Sequence, residues 1–493
     1  MRSLAGFAAS LLLALAAAGC GGGTGAGAGG DAAAVVPAGT AIYVSGDTDF
    51  EGEQWQAAAD LVDRFPDGRR ALDELLAKLE SEEGIDFEQD VKPALGPEVA
   101  FALLNLPTEG DPAVVVLTQP ADEQKLQALL EKGEDPTVSE QVEGWTVISD
   151  QQGSIDLFKD MRDDGVLADT DGFHDAMDGL EASLVSFYMS GEALNEAARS
   201  DPSFDESQVE GLVPGGKFPS IGAVVRAEEN GARIQGQALF ADDVEGSAFA
   251  SPSFDASLPD EIPSGVLAYV GVNDLEKPLS AFRDTLAQAD PTFESQLGQL
   301  EGTIGVSLEE DLGPLFAGES AVYVRRGGLI PEVTLVTRVD DEQQAVATLD
   351  DLVEGIRPFV PVGDVRRVDI EGVEAREVPI EGPVSIFYAA FDGKLVVSSA
   401  RSGVADLQGA QEHFSDQESF QDAKEAAGMP DETTGFFYVD LEETISLILG
   451  YVGAAAADVP PEVQANTEPL KSLVAWGTAD GRRASFDLFV GVE

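Results

Sequence analysis

Short apolar runs alternate with amphipathic stretches along most of this chain. The run AIYVSG at residues 41–46 is rich in β-branched and aromatic residues, which predicts a strand. Apolar residues then recur at helical spacing in residues 53–65 and 71–84, which predicts two helices separated by Pro66 and Gly68. The folded part of the chain is therefore expected to open with a strand and a pair of helices.

The rest of the first half predicts an antiparallel sheet with helices against it. EVAFALL and AVVVLTQ flank a loop that contains Pro and Gly, and they predict a strand pair. Helices are predicted at EQKLQALLEKG, GFHDAMDGL and EALNEAARS, and strands at GWTVIS and LVSFYMS. A hairpin closes this half, and its turn is predicted at Asn230-Gly231. This order indicates an α+β fold with a mainly antiparallel sheet and packed helices.

The same motifs recur in the second half of the chain in the same order. PAGTAIYV, which contains Tyr43, has its counterpart in PSGVLAYV, which contains Tyr269. GIDFEQDVKPALGPEVAF likewise parallels GVSLEEDLGPLFAGESAV. The shared positions are Gly84, Glu88, Asp90, Pro93, Glu98 and Ala100 in the first segment, and Gly305, Glu309, Asp311, Pro314, Glu319 and Ala321 in the second. The chain is therefore an internal duplication.

The duplication predicts two homologous tandem domains. We place the first at 36–245 and the second at 260–493, with an acidic linker containing Ser and Pro at 246–259. A strand–helix–hairpin unit recurs within each domain, which predicts four βαββ-like modules. The second domain is expected to carry an extra hairpin at about 384–400.

The N-terminus, MRSLAGFAASLLLALAAAGC, predicts export. Arg2 precedes an apolar stretch that is too short to span a bilayer, and small residues stand directly before Cys20. This ending resembles the lipobox of bacterial lipoproteins, although the position three before the cysteine, usually Leu, is Ala17. The resemblance implies a signal peptide at 1–19 and a diacylglyceryl lipid on Cys20. An ordinary secretory signal with a chance cysteine is the alternative.

The Gly-rich segment at 20–35 predicts a flexible tether between this lipid and the folded body. We therefore expect a protein held at the cell membrane by its N-terminal lipid anchor, on the extracytoplasmic side. Cys20 is the only cysteine, so disulfides and Cys-based metal sites are excluded.

Three of these features together resemble a known family. They are the lipoprotein signal, the duplicated Pro-x-Gly-x-x-x-Tyr-Val strand start and the repeated Gly-x-x-x-Glu-x-Asp-x-x-Pro element. The chain is similar to an uncharacterised bacterial lipoprotein family, domain of unknown function 3352, over essentially the whole mature sequence. The resemblance implies an extracytoplasmic location, and it brings no activity, cofactor or catalytic residues.

Acidic residues dominate the charge, with 91 Asp and Glu against 29 Lys and Arg and a formal net charge of −62. Such a surface repels nucleic acid, so no nucleic-acid partner is expected. The acids are spread along the chain, which favours a role in solubility over a dedicated cation site. Adaptation to high salt is the alternative. No metal and no cofactor are predicted.

Candidate catalytic groups are few. His174 and His413 are the only histidines, and neither recurs in the other half. Both are interpreted as solvated residues at helix ends. The chain has no HExxH, GxSxG, Walker or GxGxxG motif, so hydrolysis by a Ser-His-Asp triad is disfavoured.

One acidic loop in each half offers oxygen atoms of the kind that calcium binds. The acids are Asp169, Asp171 and Asp175 in the first half, and Asp416, Glu418 and Asp422 in the second. Their spacing does not match an EF-hand loop. The preferred interpretation is that Asp169 or Asp171 caps a helix starting at Phe173, while Phe173 and Phe420 pack in the core.

The repeated acids fall at strand and helix boundaries, where a carboxylate helps to cap the backbone. They are Asp90 and Glu98 with their counterparts Asp311 and Glu319. A carboxylate pair for glycoside hydrolysis stays open. Tyr43 and Tyr269, at strand ends, are interpreted as core or rim residues.

The leading functional hypothesis is a non-catalytic binding or scaffolding role in the cell envelope, with an unknown protein or envelope ligand. It rests on the lipid anchor, the duplicated domains and the lack of a catalytic constellation. The alternatives are an envelope hydrolase that depends on carboxylates or a divalent cation, and a carrier of a lipid or other apolar molecule on a sheet face under helices.

Overall fold

A computed structural model describes helices and one large antiparallel sheet, which confirms the predicted α+β class. The described residues are 29–107, 110–132, 136–200, 213–244, 252–276, 279–280, 283, 286–287, 292–328, 330–380, 384–454 and 459–493.

The helices include all of the predicted helical stretches of the first half. In chain order they are α1 (Glu53–Asp63), α2 (Gly68–Glu83), α3 (Glu123–Lys132), α4 (Gln152–Arg162), α5 (Asp171–Met177), α6 (Gly191–Ser200), α7 (Phe293–Ile304), α8 (Glu342–Ile356), α9 (Arg401–Gly409), α10 (Glu418–Ala427), α11 (Leu441–Ala454) and α12 (Pro461–Thr467). The sequence pattern did not predict α4, which buries Ile155 and Phe158.

The strands are mostly short. In chain order they are β1 (Ile42–Asp47), β2 (Glu98–Leu103), β3 (Val114–Thr118), β4 (Val138–Val142), β5 (Trp145–Ser149), β6 (Val185–Met189), β7 (Ser220–Glu228), β8 (Gly231–Leu239), β9 (Phe254–Asp255), β10 (Val266–Asn273), β11 (Glu319–Arg325), β12 (Glu332–Arg338), β13 (Arg366–Ile370), β14 (Val373–Pro379), β15 (Ser385–Phe391), β16 (Lys394–Ser398), β17 (Glu432–Thr433), β18 (Gly435–Asp440), β19 (Leu470–Asp480) and β20 (Arg483–Val492). The predicted closing hairpin of the first half is β7–β8. Its turn lies one residue early, at Glu229 and Asn230, because Glu228 pairs with Gly231.

An 18-stranded antiparallel sheet forms the body of the protein, and β9 and β17 form a separate pair. From edge to edge its order is β4-β5-β3-β2-β1-β6-β7-β8-β20-β19-β18-β10-β11-β12-β16-β15-β14-β13. The two halves of the chain therefore share one sheet and meet where β8 pairs with β20.

Outward from the β8–β20 border, the two halves repeat the same order of strands. β7, β6, β1, β2, β3, β5 and β4 correspond in turn to β19, β18, β10, β11, β12, β16 and β15. Each half contains two βαββ modules, which start at β1 and β6 in the first and at β10 and β18 in the second. The fold thus consists of two homologous tandem domains, as predicted. The exact boundaries that we assigned stay a prediction, but the ends of the predicted tether and linker belong to the folded body, because Ala32, Ala33 and Val35 are buried in the core of the first half and Leu258 in that of the second.

The second half carries an extra hairpin, but the prediction of its place at 384–400 is wrong. That stretch contains the β15–β16 hairpin, and its strand β16 pairs with β12 just as β5 of the β4–β5 hairpin pairs with β3. The hairpin without a counterpart is β13–β14, at the far edge of the sheet. The error arose because β4, with the sequence VSEQV, is largely polar and has a weak strand pattern.

The two largest cores lie on one face of the sheet. Tyr43 in the first half and Tyr269 in the second are 0% and 1% exposed in these cores, which confirms their interpretation as core residues. Helices α4 and α5 cover this face in the first half, and α9 and α10 cover it in the second. A further cluster around Trp55 and Leu126 covers Val99 on the opposite face of the first half.

Candidate functional site

Glu98, at the start of β2, is 6% exposed, and its carboxylate binds the backbone of the segment that precedes β1. Its Oε2 accepts hydrogen bonds from the backbone N–H of Asp31 at 2.7 Å and of Ala32 at 3.2 Å. Its Oε1 accepts a hydrogen bond from the Tyr43 hydroxyl at 3.1 Å. Glu98 therefore caps the short helical turn Ala32–Ala34, which confirms the capping role predicted for this acid.

Glu319 occupies the equivalent position at the start of β11 and is 7% exposed. Its carboxylate accepts hydrogen bonds from the Leu258 backbone N–H at 2.8 Å, the Ser257 hydroxyl at 2.5 Å and the Arg338 Nε at 3.4 Å. The Tyr269 hydroxyl is buried and has no hydrogen-bond partner among the described residues. The two copies of the acid thus cap equivalent turns with different side-chain partners.

Two basic side chains distinguish the surroundings of Glu319 from those of Glu98. Arg338 and Lys394 each form an ion pair with Glu261. The strand registers place Gln119 and Trp145 at the matching positions of the first half. The first half therefore has a neutral amide and a buried indole where the second half has two positive charges.

Burial raises the pKa of the Glu98 carboxyl from 4.5 to about 7, and the hydrogen bonds that it accepts from Asp31, Ala32 and Tyr43 lower it only in part. A carboxyl that titrates near neutral pH therefore lies where the N-terminal segment joins the fold.

Asp90 and Asp311 cap equivalent turns before β2 and β11. Asp90 Oδ2 accepts a hydrogen bond from the Asp86 backbone N–H at 3.0 Å, and Asp311 Oδ2 accepts one from the Ser307 backbone N–H at 2.7 Å. This pair of contacts confirms the capping role predicted for both acids.

Thr170, rather than an aspartate, caps α5. Its hydroxyl accepts a hydrogen bond from the Phe173 backbone N–H at 3.3 Å, while the side chains of Asp169 and Asp171 are exposed. The predicted cap at Asp169 or Asp171 is therefore wrong, because Thr170 holds the position directly before the first helical residue. Phe173 and Phe420 are buried in the cores, as predicted.

The acidic loop of the second half is also open to solvent. Asp416, Glu418 and Asp422 are exposed. Within the described ranges, no group of three or more His, Cys, Asp or Glu side chains is arranged to hold a metal ion.

The two histidines lie in different environments. The His174 side chain on α5 is 76% exposed, as predicted. His413 is half-buried, and its Nδ1 is buried without a hydrogen-bond partner in the part of the chain that the structure describes. The prediction of a solvated residue is therefore wrong for His413, whose backbone forms a bridge with that of Pro263.

Cys20, the predicted lipidation site, lies outside the described residues, so the lipid anchor stays a prediction. Among the described helices, none combines the length and the apolar character needed to cross a membrane.

A row of apolar side chains crosses the middle of the sheet on the face opposite Tyr43 and Tyr269. Its members oppose one another directly on neighbouring strands and are Val225, Ile234, Leu488, Ala475, Phe437 and Val270. We name these residues the apolar row. At about 4.8 Å between strands, the row is about 24 Å long. It crosses the β8–β20 border, so both halves of the chain contribute to it.

Much of the apolar row is open to solvent. Val225, Ile234, Phe437 and Val270 are 37–40% exposed, and Phe486, two positions from Leu488 on the same face, is 49% exposed. Contiguous exposed apolar surface is typical of binding sites. The row is therefore the best candidate for a binding surface among the described residues.

Helix α11, which contacts β10, β18 and β19, adds further exposed apolar side chains. Ile448 is 53% exposed, and Tyr451 and Val452 are each 38% exposed. Apolar surface is thus open on both the strands and a helix packed against them.

Sequence reasoning missed the apolar row, although β18 carried a signal for it. Successive residues of a strand face opposite sides of the sheet, so a strand with one solvated face alternates apolar and polar residues. In β18, Phe436 and Phe437 are adjacent and both large and apolar. Phe436 is 4% exposed and Phe437 is 37% exposed, so this strand is apolar on its buried and its open face alike.

A family model described as "Protein of unknown function (DUF3352)" matches residues 4–156 and 154–490. The chain belongs to this family. The predicted membership of DUF3352 is therefore confirmed, and the description of the family assigns it no function. A search of curated proteins found no match.

Three solved structures of TP0453 are distantly similar to this DUF3352 chain. Crystal form IV is 11% identical with a TM-score of 0.24 and covers 48% of this chain and 78% of that chain. Crystal form III is 11% identical with a TM-score of 0.23 and covers 48% of this chain and 92% of that chain. Crystal form I is 9% identical with a TM-score of 0.20 and covers 43% of this chain and 79% of that chain. Similarity of this degree supports no conclusion about function.

Proposed function

We propose that this DUF3352 chain is a bacterial lipoprotein, held on the extracytoplasmic side of the cell membrane by a lipid on Cys20, with a non-catalytic binding role in the cell envelope. The observation that supports the binding role is the apolar row. The N-terminal sequence, with its apolar stretch and its small residues before Cys20, supports the anchor.

Exposure of the apolar row has an energetic cost. Full burial of a Val, Leu, Ile or Phe side chain stabilises a protein by about 1.5–3 kcal/mol, and several such side chains here stay open to solvent. A partner that covers the row would recover part of this free energy. The row therefore favours an apolar binding partner over the polar ligands that the acidic surface would attract.

A carrier of a lipid or other apolar molecule is the second candidate, and the shape of the row favours it. The row is a continuous strip across neighbouring strands, about 24 Å long, and none of its members is charged. A long, uncharged strip fits a hydrocarbon chain, whereas a scaffolding partner needs no such shape.

Mass spectrometry of the mature protein, purified from membranes of the bacterium that produces it, tests the anchor. We expect the N-terminal peptide to begin at Cys20 and to carry a diacylglyceryl group. Cys20→Ser is the control, and this variant should leave the membrane fraction. An unmodified cysteine, or cleavage at another position, would contradict the anchor.

A fluorescent fatty acid, cis-parinaric acid, tests the binding role. We expect it to bind the full chain, and we expect the double variant Phe437→Ser/Phe486→Ser to weaken binding by about tenfold, which corresponds to 1.4 kcal/mol. The matched control is Leu300→Ser, since Leu300 is 52% exposed on α7, outside the row.

Two outcomes would argue against the proposal. Equal binding by the double variant and the control would remove the apolar row as the site. Hydrolysis of envelope polymers or esters by the purified protein would contradict a non-catalytic role.

A further inference from the structure

Strand β13 forms the edge of the sheet in the second half of the chain. In the described part of the chain it pairs with one strand, β14. The hairpin that these two strands form has no counterpart in the first half, so the duplication does not account for this edge. The outer side of an edge strand presents backbone groups to which a further strand can pair.

The turn of this hairpin determines which backbone groups of β13 face outward. Ile370 pairs with Val373 across the two-residue turn at 371–372. The residues that flank such a turn hydrogen-bond to each other, and hydrogen-bonded pairs then alternate with non-hydrogen-bonded pairs along the two strands. The backbone N–H and C=O groups of Arg367 and Asp369 therefore point away from β14.

A contact with α9 agrees with this direction. The guanidinium of Arg401, at the start of α9, donates a hydrogen bond to the Asp369 backbone carbonyl. This carbonyl oxygen has two lone pairs, so it can accept a second N–H from another strand. The side chain of Arg401 is exposed, so it can also move aside.

Within the hairpin, these two outward-facing residues lie opposite like charges. Arg367 is directly opposite Arg376, and Asp369 is directly opposite Glu374. Like charges at directly opposed positions destabilise an antiparallel pair. Arg376 forms an ion pair with Glu374, whereas Arg367 is exposed and forms none within the described residues. The Asp369 side chain accepts a hydrogen bond from the Gly372 N–H at 3.2 Å and is also exposed.

We infer that β13 pairs with β13 of a second copy of this chain, in an antiparallel register centred on Val368. This register places Arg367 directly opposite Asp369 of the second copy, twice in one dimer. The backbone groups of both residues face outward, so the same register also joins them as hydrogen-bonded pairs. Each opposed pair of unlike charges stabilises the new ladder, and the two sheets become one.

The order of the charges selects this register. A shift by two residues, the smallest that keeps the outward backbone groups paired, places Arg367 against Arg367 or Asp369 against Asp369. Charged residues on an edge strand commonly keep other strands away. The other edge strand of the sheet, β4, fits that role, since pairing about its centre would oppose Glu140 to Glu140. β13 differs because its charges complement those of its own copy.

The helices leave space for this pairing. Helix α8 packs over β15 and β16, which lie two and three strands inward from β13. At about 4.8 Å between strands, the two copies of α8 would lie about 24 Å apart across the dimer axis. Helices in contact are only about 8–10 Å apart, so the two copies of α8 do not collide.

A cysteine at the centre of the register tests the pairing. Residue 368 would lie opposite itself as a non-hydrogen-bonded pair, with about 4.5 Å between the Cα atoms, within the range of about 4.4–6.8 Å that disulfides span. We expect the full-length variant Val368→Cys, oxidised in detergent, to form a disulfide-linked dimer on a non-reducing gel. Glu140→Cys, at the centre of β4, is the matched control and should stay monomeric. It also reports any linkage through Cys20.

Charge reversal tests the ion pairs, measured by sedimentation velocity of the full chain. In the dimer, Arg367→Asp and Asp369→Arg each place like charges opposite one another, so each should weaken dimerisation by about tenfold or more. An equal mixture of the two variants restores unlike charges at both positions and should dimerise like the wild type. Physiological salt is needed, because each copy has a net charge of −62 and charges more than about 8 Å apart are then largely screened.

Three outcomes would overturn the inference. The first is a wild type that sediments as a monomer at every concentration, with Val368→Cys linked no faster than Glu140→Cys. The second is a mixture of the two charge variants that dimerises no better than either variant alone, which would exclude the register. The third is a ladder of larger oligomers in place of dimers, which would indicate that β13 pairs with β4 of another copy.

Discussion

The guanidinium of Arg233 on β8 lies 3.2 Å from the carboxylate of Asp487 on β20, and this buried ion pair joins the two halves of the chain. Arg233 also donates to the Ala427 carbonyl at 2.8 Å and to Glu228 at 2.6 Å. Its guanidinium lies over the Phe489 ring at 5.1 Å. A charge buried in this way is tolerated because its partners are fixed around it.

Removal of the arginine should therefore destabilise the whole protein. We expect Arg233→Met to lower the free energy of unfolding by about 3–5 kcal/mol, because Asp487 would be left buried without its counter-charge. The double variant Arg233→Met/Asp487→Asn should recover part of this loss. Urea unfolding followed by tryptophan fluorescence measures both.

Arg483, at the same border, supplies the control for this prediction. Its side chain is 33% exposed and donates to the Asp175 carbonyl at 3.2 Å. Arg483→Met should cost less than about 1 kcal/mol, since a partly exposed charge is screened by solvent. Equal losses in the two single variants would show that burial of the Arg233–Asp487 pair does not matter.

Local periodicity in the sequence is enough to predict most elements but not the single sheet. Strands such as β1 are recognisable from their own residues, and the repeat of Tyr43 as Tyr269 predicts the tandem domains. The Arg233–Asp487 contact joins residues 254 positions apart, and nothing in β8 or β20 alone specifies that they pair. β4 was missed because an edge strand with polar residues lacks the apolar run that marks a buried strand.

The candidate functional residues also divide into those that the sequence predicts and those that only the paired strands reveal. The position of Glu98 and Glu319 at strand starts is visible in the repeat, so their capping role could be predicted. The difference between Arg338 and Gln119 beside them depends on which strands pair, and therefore needs the fold.

The Glu98 carboxyl should make stability depend on pH. Its pKa of about 7 in the folded state exceeds the usual 4.5, so the folded state binds more protons between these values. Its contribution is fully present below about pH 4.5 and is lost as the pH rises through about 7. We expect the wild type to lose on the order of 3 kcal/mol relative to Glu98→Gln over this range. Urea unfolding at a series of pH values measures the difference.

Glu140→Gln is the control for this pH dependence. The Lys159 ammonium lowers the pKa of the exposed Glu140 carboxyl, so any effect of this variant has the opposite sign and is confined to acid pH. If wild type and Glu98→Gln showed parallel pH profiles between pH 4.5 and 7, Glu98 would not titrate in this range.

Neighbouring phenylalanines on β18 should differ sharply in their effect on stability. Phe436 is 4% exposed in the core of the second half, so Phe436→Ala should cost about 3–5 kcal/mol. Phe437, in the apolar row, is 37% exposed, and Phe437→Ala should cost less than half as much. Differential scanning calorimetry of the two variants measures this contrast. A Phe437→Ala variant as unstable as Phe436→Ala would mean that the row is part of a core.

The cap of α5 provides a test at single-residue resolution. The Thr170 hydroxyl accepts from the Phe173 backbone N–H, so Thr170→Ala should lower the free energy of unfolding by about 1 kcal/mol. Thr170→Ser keeps the accepting oxygen and should retain most of the stability. Asp169→Asn changes an exposed side chain outside the helix, so its effect should stay within about 0.5 kcal/mol. The urea midpoints of the three variants measure these effects. A larger loss of stability for Asp169→Asn than for Thr170→Ala would indicate that the aspartate, and not Thr170, caps α5.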